Sequence, residues 1–434
     1  MTPFRKNNSC WPNFPLTLDY TIYPKENKDV DNLIAALEQP DRVHLINLWI
    51  TSLDSRADDV LENMKVPFPT LTHLELTGPT ELPYEGDDYE GIYLPRGFLG
   101  GSAPCLQYLR FEAVNAILFQ ELPRLLLSAR SLTSLKIEDI PNCFGYNLPE
   151  ATVRALAGST KLRTLSINFR FPEEPPDSGE GLEHTTRPEP PTRAVLPALT
   201  EFEFSGESTC LEDIMAQIDM PSVEDIKINY IVPEVDVHEL SRFICRTENL
   251  GLAQFRRAQV DFNVGASYSH IKLDQPQGER RQVRFLLGMS ISDLLLVRGN
   301  PELDELVTCM TRVLGQLTAL LSNVGHLSFK GHQLEAWNET RNRLDDSKLP
   351  LLLHLFPAVE TLHVSGVLTR HIATVLANID EERVNEVMPA LRSLQFGDGY
   401  EPVGPTERFF SLRQLSGHPV AVVNTSMQYS YLSD

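Results

Sequence analysis

Apolar residues recur along this chain in one short figure, in which the first, fourth and sixth places are apolar and the places between are mostly polar. Its sharpest copy is 71-LTHLEL-76. The figure returns as 106-LQYLRF-111, 132-LTSLKI-137, 162-LRTLSI-167, 199-LTEFEF-204 and 223-VEDIKI-228, with a looser forerunner at 43-VHLINL-48. After a gap it resumes as 324-VGHLSF-329, 359-VETLHV-364 and 391-LRSLQF-396. Successive starts within each run lie 24 to 37 residues apart.

Side chains alternate along a strand, so the fourth and sixth residues of each copy point to one face. The first residue caps the same core from the approach turn. One such unit cannot bury its apolar face alone, whereas units stacked side by side make a parallel sheet over a continuous core. Between copies, apolar residues fall at helical spacing: Val30, Leu33, Ile34 and Leu37 behind Asp29 and ahead of Pro40, then Leu211, Ile214 and Ile218, then Val237, Leu240 and Ile244, then Leu368, Ile372, Val375 and Ile379. Strand and helix once per repeat predict an α/β fold. The expected form is an irregular leucine-rich-repeat solenoid, a horseshoe with parallel strands on its concave face and helices and loops on its convex face, taking up residues 1–434 as a single unit. The asparagine expected three places after the last strand leucine is absent; Pro79, Val114 and Ile140 stand there. The turns leaving the strands should therefore vary.

The pattern breaks in four places. Residues 1–40 read as an N-terminal cap region, and 400–434 as a C-terminal cap and tail. Residues 171–194, rich in proline and charge, read as a disordered loop, either a tether for a partner or a tolerated insertion. Residues 250–323 read as an atypical hairpin plus helix. Val283, Phe285, Leu287, Met289 and Ile291 alternate as a strand should, and 267-SYSHIKL-273 can pair with them. Asn300-Pro301 then opens a helical run from Leu303 to Leu321, packed on the solenoid or offered to a partner helix. The charged stretch 335–348, with Trp337, reads as a solvated loop.

Charge narrows the partners. With 59 acidic against 38 basic residues the net charge is -21, which opposes nucleic-acid binding and suits a basic protein partner. No apolar run is long enough for a membrane span. Six scattered cysteines without a CxxC pair fit reduced thiols, hence a cytoplasmic or nuclear location.

Catalytic constellations are missing from the sequence. It has no G-x-S-x-G elbow, P-loop or G-x-G-x-x-G, and His238-Glu239 is followed by arginine at 242, where a zincin helix needs its second histidine. His73, His326 and His363 fall at equivalent places in three repeats and read as surface histidines. The expectation is a chain that is not an enzyme, with no catalytic, cofactor-binding or metal-binding residues and no cofactor. The expected working surface is the concave face, built from residues flanking the core positions: His73, Glu75, Tyr108, Arg110, Glu112, Lys136, Glu138, Glu201, Glu203, Asp225 and Lys227. Carboxylates outnumber cations there, so the face either steers a basic segment or is a polar strand face meeting water.

The runs 41-DRVHLINL-48, 66-VPFPTLTHLEL-76, 97-GFLGGSAPCLQYL-109, 191-PTRAVLPALTEFEF-204 and 412-LRQLSGHPVAV-422 resemble the basidiomycete fungal F-box-like leucine-rich-repeat proteins. In that family an F-box precedes the repeats and holds the adaptor of a cullin-type ubiquitin ligase, while the repeats choose the substrate. The resemblance implies the substrate-receptor part of such a protein. No run here resembles the F-box helices, and 11-WPNFPLTL-18 looks like the start of the region that follows them, so an adaptor contact is expected only if an F-box is encoded upstream. The alternative is a free-standing acidic binder or inhibitor of a basic protein, with no link to ubiquitin ligation.

Overall fold

In a computed structural model, residues 14–23, 29–51, 55–79, 92–115, 118–140, 150–170, 193–232, 237–251, 255–263, 267–275, 283–291, 303–332, 344–345, 347–379, 381–397 and 406–424 are described. The chain divides into two compact units. One comprises Met1–Pro172, Pro190–Thr200 and Gln217–Met220; the other comprises Glu173–Glu189, Glu201–Ala216 and Pro221–Asp434. Each is mixed α/β, a mostly parallel sheet with helices, and neither sheet closes into a barrel.

In the first unit six strands lie side by side in chain order: β1 (Leu16–Ile22), β2 (Val43–Ile50), β3 (His73–Thr77), β4 (Tyr108–Glu112), β5 (Ser134–Ile140) and β6 (Thr164–Phe169). All five pairings are parallel, so every link must be a crossover. Helices α1 (Val30–Leu37), α2 (Ser55–Asn63), α3 (Leu118–Ser128) and α4 (Glu150–Leu156) lie on four of those links. Two further short strands, β7 (Ala194–Val195) and β9 (Ile218–Asp219), pair with each other.

The hexads are these strands. Ile46, Leu74, Leu109, Leu135 and Leu165 align in one buried row, and Leu48, Leu76, Phe111, Ile137 and Ile167 in a second. The leading residues Leu71, Leu106, Leu132 and Leu162 are fully buried as well. Each large apolar side chain withdrawn from water contributes about 1.5–3 kcal/mol, so these rows form a continuous stabilising core under the strands. One place after each leading residue runs a backbone ladder. The amide of Thr72 donates to the carbonyl of His44 (2.9 Å), Gln107 to Thr72 (2.8 Å), Thr133 to Gln107 (2.8 Å) and Arg163 to Thr133 (2.8 Å). Regularity therefore lies where the chain enters the strands. The exits differ: Ala113 and Asp139 take positive φ (55° and 56°), and the pairing of β5 with β6 slips between Ile137 and Ile140.

The second unit orders its strands β8 (Glu201–Glu207), β10 (Asp225–Val232), β13 (Arg284–Ile291), β12 (Tyr268–Asp274), β11 (Arg257–Asn263), β14 (His326–His332), β15 (Thr361–Gly366), β16 (Ser393–Phe396) and β17 (Ala421–Asn424). Its helices are α5 (Ser208–Gln217), α6 (His238–Arg246), α7 (Glu248–Gly251), α8 (Leu303–Gln316), α9 (Thr318–Leu321), α10 (Lys348–His354), α11 (Leu368–Ala377) and α12 (Glu407–Leu415). After β10 the chain passes over two places, lays down β11, and walks back through β12 and β13. Strand β12 is antiparallel to both neighbours, while β13 pairs with β10 and β11 with β14 in parallel. The insertion stays in phase with the core: Val260, Ile271 and Leu287 align, as do Ala258, Leu273 and Phe285, all buried.

Several sequence readings change in detail. The hairpin expected in 250–323 is present but has a third strand, β11, which Asp261 hid by interrupting its apolar run. The single helix expected from Leu303 to Leu321 breaks after Gln316, whose carbonyl accepts a hydrogen bond from Ser241 Oγ at 3.0 Å. Ile218, read as helical, begins β9, and Asp29 precedes α1 without a side-chain cap. The loop expected over 171–194 lies outside the described residues as far as 192, and its last residue, Ala194, opens β7. Trp337 and the start Asn300-Pro301 also lie outside them. Strands β1 and β17 carry no hexad and escaped sequence reading.

Candidate functional site

In the first unit, alternation turns the residues between the core positions outward, and register sorts them into rows. His73, Tyr108, Ser134 and Thr164 form one row; Glu75, Arg110, Lys136 and Ser166 form the next; Thr77, Glu112 and Glu138 form the third. The seven candidate residues from His73 to Glu138 thus share one face. Within the first row the rings of His73 and Tyr108 stack, with centroids 5.9 Å apart and planes 25° from parallel.

Arg110 is the centre of this face. Its Nη1 donates to Glu75 Oε1 on β3 at 2.7 Å and its Nε to Glu138 Oε2 on β5 at 2.7 Å, while Nη2 lies 2.9 Å from Glu112 Oε2 on its own strand. One guanidinium therefore ties three strands together, as a flat fork with five donors can and a lysine ammonium cannot. Burial, joined by the charges of Glu138, Asp139 and Glu75, pushes the Glu112 carboxyl above its usual value, and Arg110 only partly opposes this. Burial and the charges of Glu75 and Glu138 likewise push the Tyr108 phenol up against the pull of Arg110. At the rim, Arg170 pairs with Asp139 through two hydrogen bonds. With Asp19 on β1, whose Oδ1 accepts from Asn47 Nδ2 at 3.0 Å, carboxylates outnumber cations on the face.

One residue of this face was missed. Trp49 on β2 stands in the third row, opposite Thr77, and is 51% exposed. The signal was present: reading the hexad 43-VHLINL-48 two places further turns Trp49 outward with Asn47.

The candidates Glu201, Glu203, Asp225 and Lys227 lie in the second unit, on β8 and β10, where Glu201 stands opposite Asp225 and Glu203 opposite Lys227. Asp225 is bound by Arg284 of β13, at 2.6 Å. A second polar cluster sits on the inserted strands. Asp261, 6% exposed, receives Gln259 Nε2 at 2.8 Å and lies 3.2 Å from His270 Nε2. Burial alone would raise its carboxyl. The hydrogen bonds from His270 and Gln259 and the charges of His270 and Lys330 outweigh that and hold it below the usual range. Tyr268 tilts against His270, with ring centroids 5.4 Å apart, and covers Gly288, where a Cβ would stand 2.4 Å from its hydroxyl. Gln259 meets Asp261 along one strand, but Asp261 meets His270 only through cross-strand pairing, which sequence spacing could not announce.

The first cluster is made of ion pairs and a stacked ring pair, the second of hydrogen bonds to Asp261 and a tilted ring pair. Among the described residues no group of three or more His, Cys, Asp or Glu side chains could hold a metal ion, and no helix is long and apolar enough to cross a membrane. Neither a protein-family model nor a curated protein sequence matches this chain.

Proposed function

We propose that this chain is a protein-recognition module of the leucine-rich-repeat type, an irregular solenoid whose outward strand face holds a basic segment of another protein. The observation that carries the reading is Arg110 clamped by Glu75, Glu112 and Glu138. The clamp fixes a broad polar surface in place before any partner arrives, which lowers the ordering cost of binding. The excess of carboxylates supplies the attraction for a cationic partner. No covalent step is required of the chain. Its resemblance to F-box-like proteins makes the substrate-receptor role the leading form of this reading. The free-standing acidic binder differs from it only in lacking a ligase adaptor.

The test is co-purification of proteins with the tagged chain at about 0.1 M and about 1 M salt, where screening of exposed charges differs severalfold. A basic protein held at low salt and released at high salt, and lost with a Glu75→Gln/Glu138→Gln double variant, is the expected result. A partner held equally at both salt levels and by the double variant would remove the electrostatic reading. A cullin adaptor among the captured proteins, together with an F-box encoded in frame upstream, would select the receptor form.

A further inference from the structure

Trp49, inside β2 on the outward face of the first unit, is 51% exposed, and Tyr23, just past the end of β1, is 53% exposed. An indole left half in water gains nothing for the fold, and its setting points to a use. On the same face stand Thr21 and Thr77, directly opposite it on β1 and β3, and Asn47 on its own strand. One step back in register, Asp19 on β1 and Glu75 on β3 flank Asn47 on either side. Neighbouring strands lie about 4.8 Å apart, so both carboxylates fall within a side chain's length of the indole. The residues directly opposite it on both sides are small threonines. Among the described residues of these strand rows, the nearest cations, Arg110 and Lys136, begin two strands from Trp49, and Arg110 is engaged by its three carboxylates.

We infer that Trp49 is the anchor point for an arginine side chain of the partner, its guanidinium stacked on the indole and hydrogen-bonded to Asp19 and Glu75. This rests on the recognition reading above and deepens it by naming the group recognised. A guanidinium fits better than an ammonium for two reasons. It is flat, so it stacks on a ring while its edge donors remain available. It is also less strongly hydrated, so it gives up water more readily at a half-exposed site. Asp19 and Glu75 each have two oxygens, and the bonds from Asn47 and Arg110 fall on one oxygen of each.

Trp49 reports on itself. In a Trp11→Phe/Trp337→Phe chain it is the sole indole, since the sequence has three tryptophans. Titration of this full-length chain with an oligoarginine peptide should quench or shift its emission; oligolysine should bind more weakly, and an uncharged Gly-Ser peptide not at all. In the native chain, Trp49→Leu should weaken oligoarginine binding by about three- to thirtyfold, the range of one cation–π contact, and Trp49→Phe should recover part of it. Asp19→Asn should also weaken it. Binding that leaves the emission unchanged and survives Trp49→Leu overturns the anchor and leaves the recognition reading standing. Failure of every basic peptide to bind the native chain at low salt overturns both.

Discussion

Gly366 stands so close to Gly331 that a Cβ on it would lie 1.9 Å from the Gly331 carbonyl oxygen. The two residues pair at the ends of β14 and β15, and Gly366 has φ +68°. A side chain there meets a backbone atom, which cannot swing aside, and must also adopt a left-handed conformation costing about 1–2 kcal/mol. Gly366→Ala should therefore destabilise the protein by more than about 2 kcal/mol. Urea unfolding with a midpoint near that of the native protein would contradict the close approach.

Arg110→Met leaves Glu75, Glu112 and Glu138 facing one another without their shared cation. A loss of about 1–3 kcal/mol is expected near pH 7. The pH dependence has a definite sign. Glu112 already binds its proton more tightly in the folded protein than in the unfolded chain, so the fold gains stability as pH falls from the folded value to the unfolded one. Without Arg110 the carboxyl rises further, and the variant should regain stability more steeply on acidification. Unfolding measured at about pH 7 and about pH 5 distinguishes this from plain loss of packing, which would be the same at both.

Asp261→Asn tests the cluster on the inserted strands. The Asp261 carboxyl is held below its usual value in the fold. Its contribution is thus fully present above the unfolded value, about 3.9, and is lost as pH falls toward the folded one. The native protein should exceed the variant in stability near neutrality, and the gap should close below about pH 4. A gap that persists or widens below that pH would mean that the stabilising bonds do not depend on the ionised carboxylate.

Arg413 on α12 is fully buried. It donates to Leu391 O at 2.9 Å, Pro389 O at 3.4 Å and Asn385 Oδ1 at 3.2 Å, so it holds the turn before β16 by its backbone. Burial pulls its pKa below the usual arginine value. A lysine cannot reach all three acceptors at once, and the buried Leu391 carbonyl left without a donor would cost about 1–3 kcal/mol. Arg413→Lys should lower the unfolding midpoint clearly; a lysine variant as stable as the native chain would show that one donor suffices.

The strands were legible where they were repetitive. Leu71, Leu74 and Leu76 announce β3 because the spacing of three then two is the footprint of a turn entering a strand over a core. The same footprint locates the strands from β2 to β6, β8, β10 and β14 to β16. Strand β11 was not legible, because the buried residues Val260 and Phe262 flank an equally buried Asp261, whose polarity breaks the alternation and whose partner His270 lies on another strand. The outward face was legible residue by residue, although Trp49 escaped when the loose copy was not read past Leu48.

The sequence by itself determined which apolar residues of the hexads enter the core, because alternation along a strand is a local property with a period of two residues. Only the tertiary structure decided which outward residues meet. Arg110 reaches Glu75 and Glu138 across 35 and 28 residues of chain, and Asp261 meets His270 on a strand that runs backwards through a parallel sheet. Hydrogen bonds act over about 3 Å, and which side chains come within that reach depends on strand order and register. Those are set by crossover lengths and by the fit of the buried rows, neither of which the hexads themselves encode.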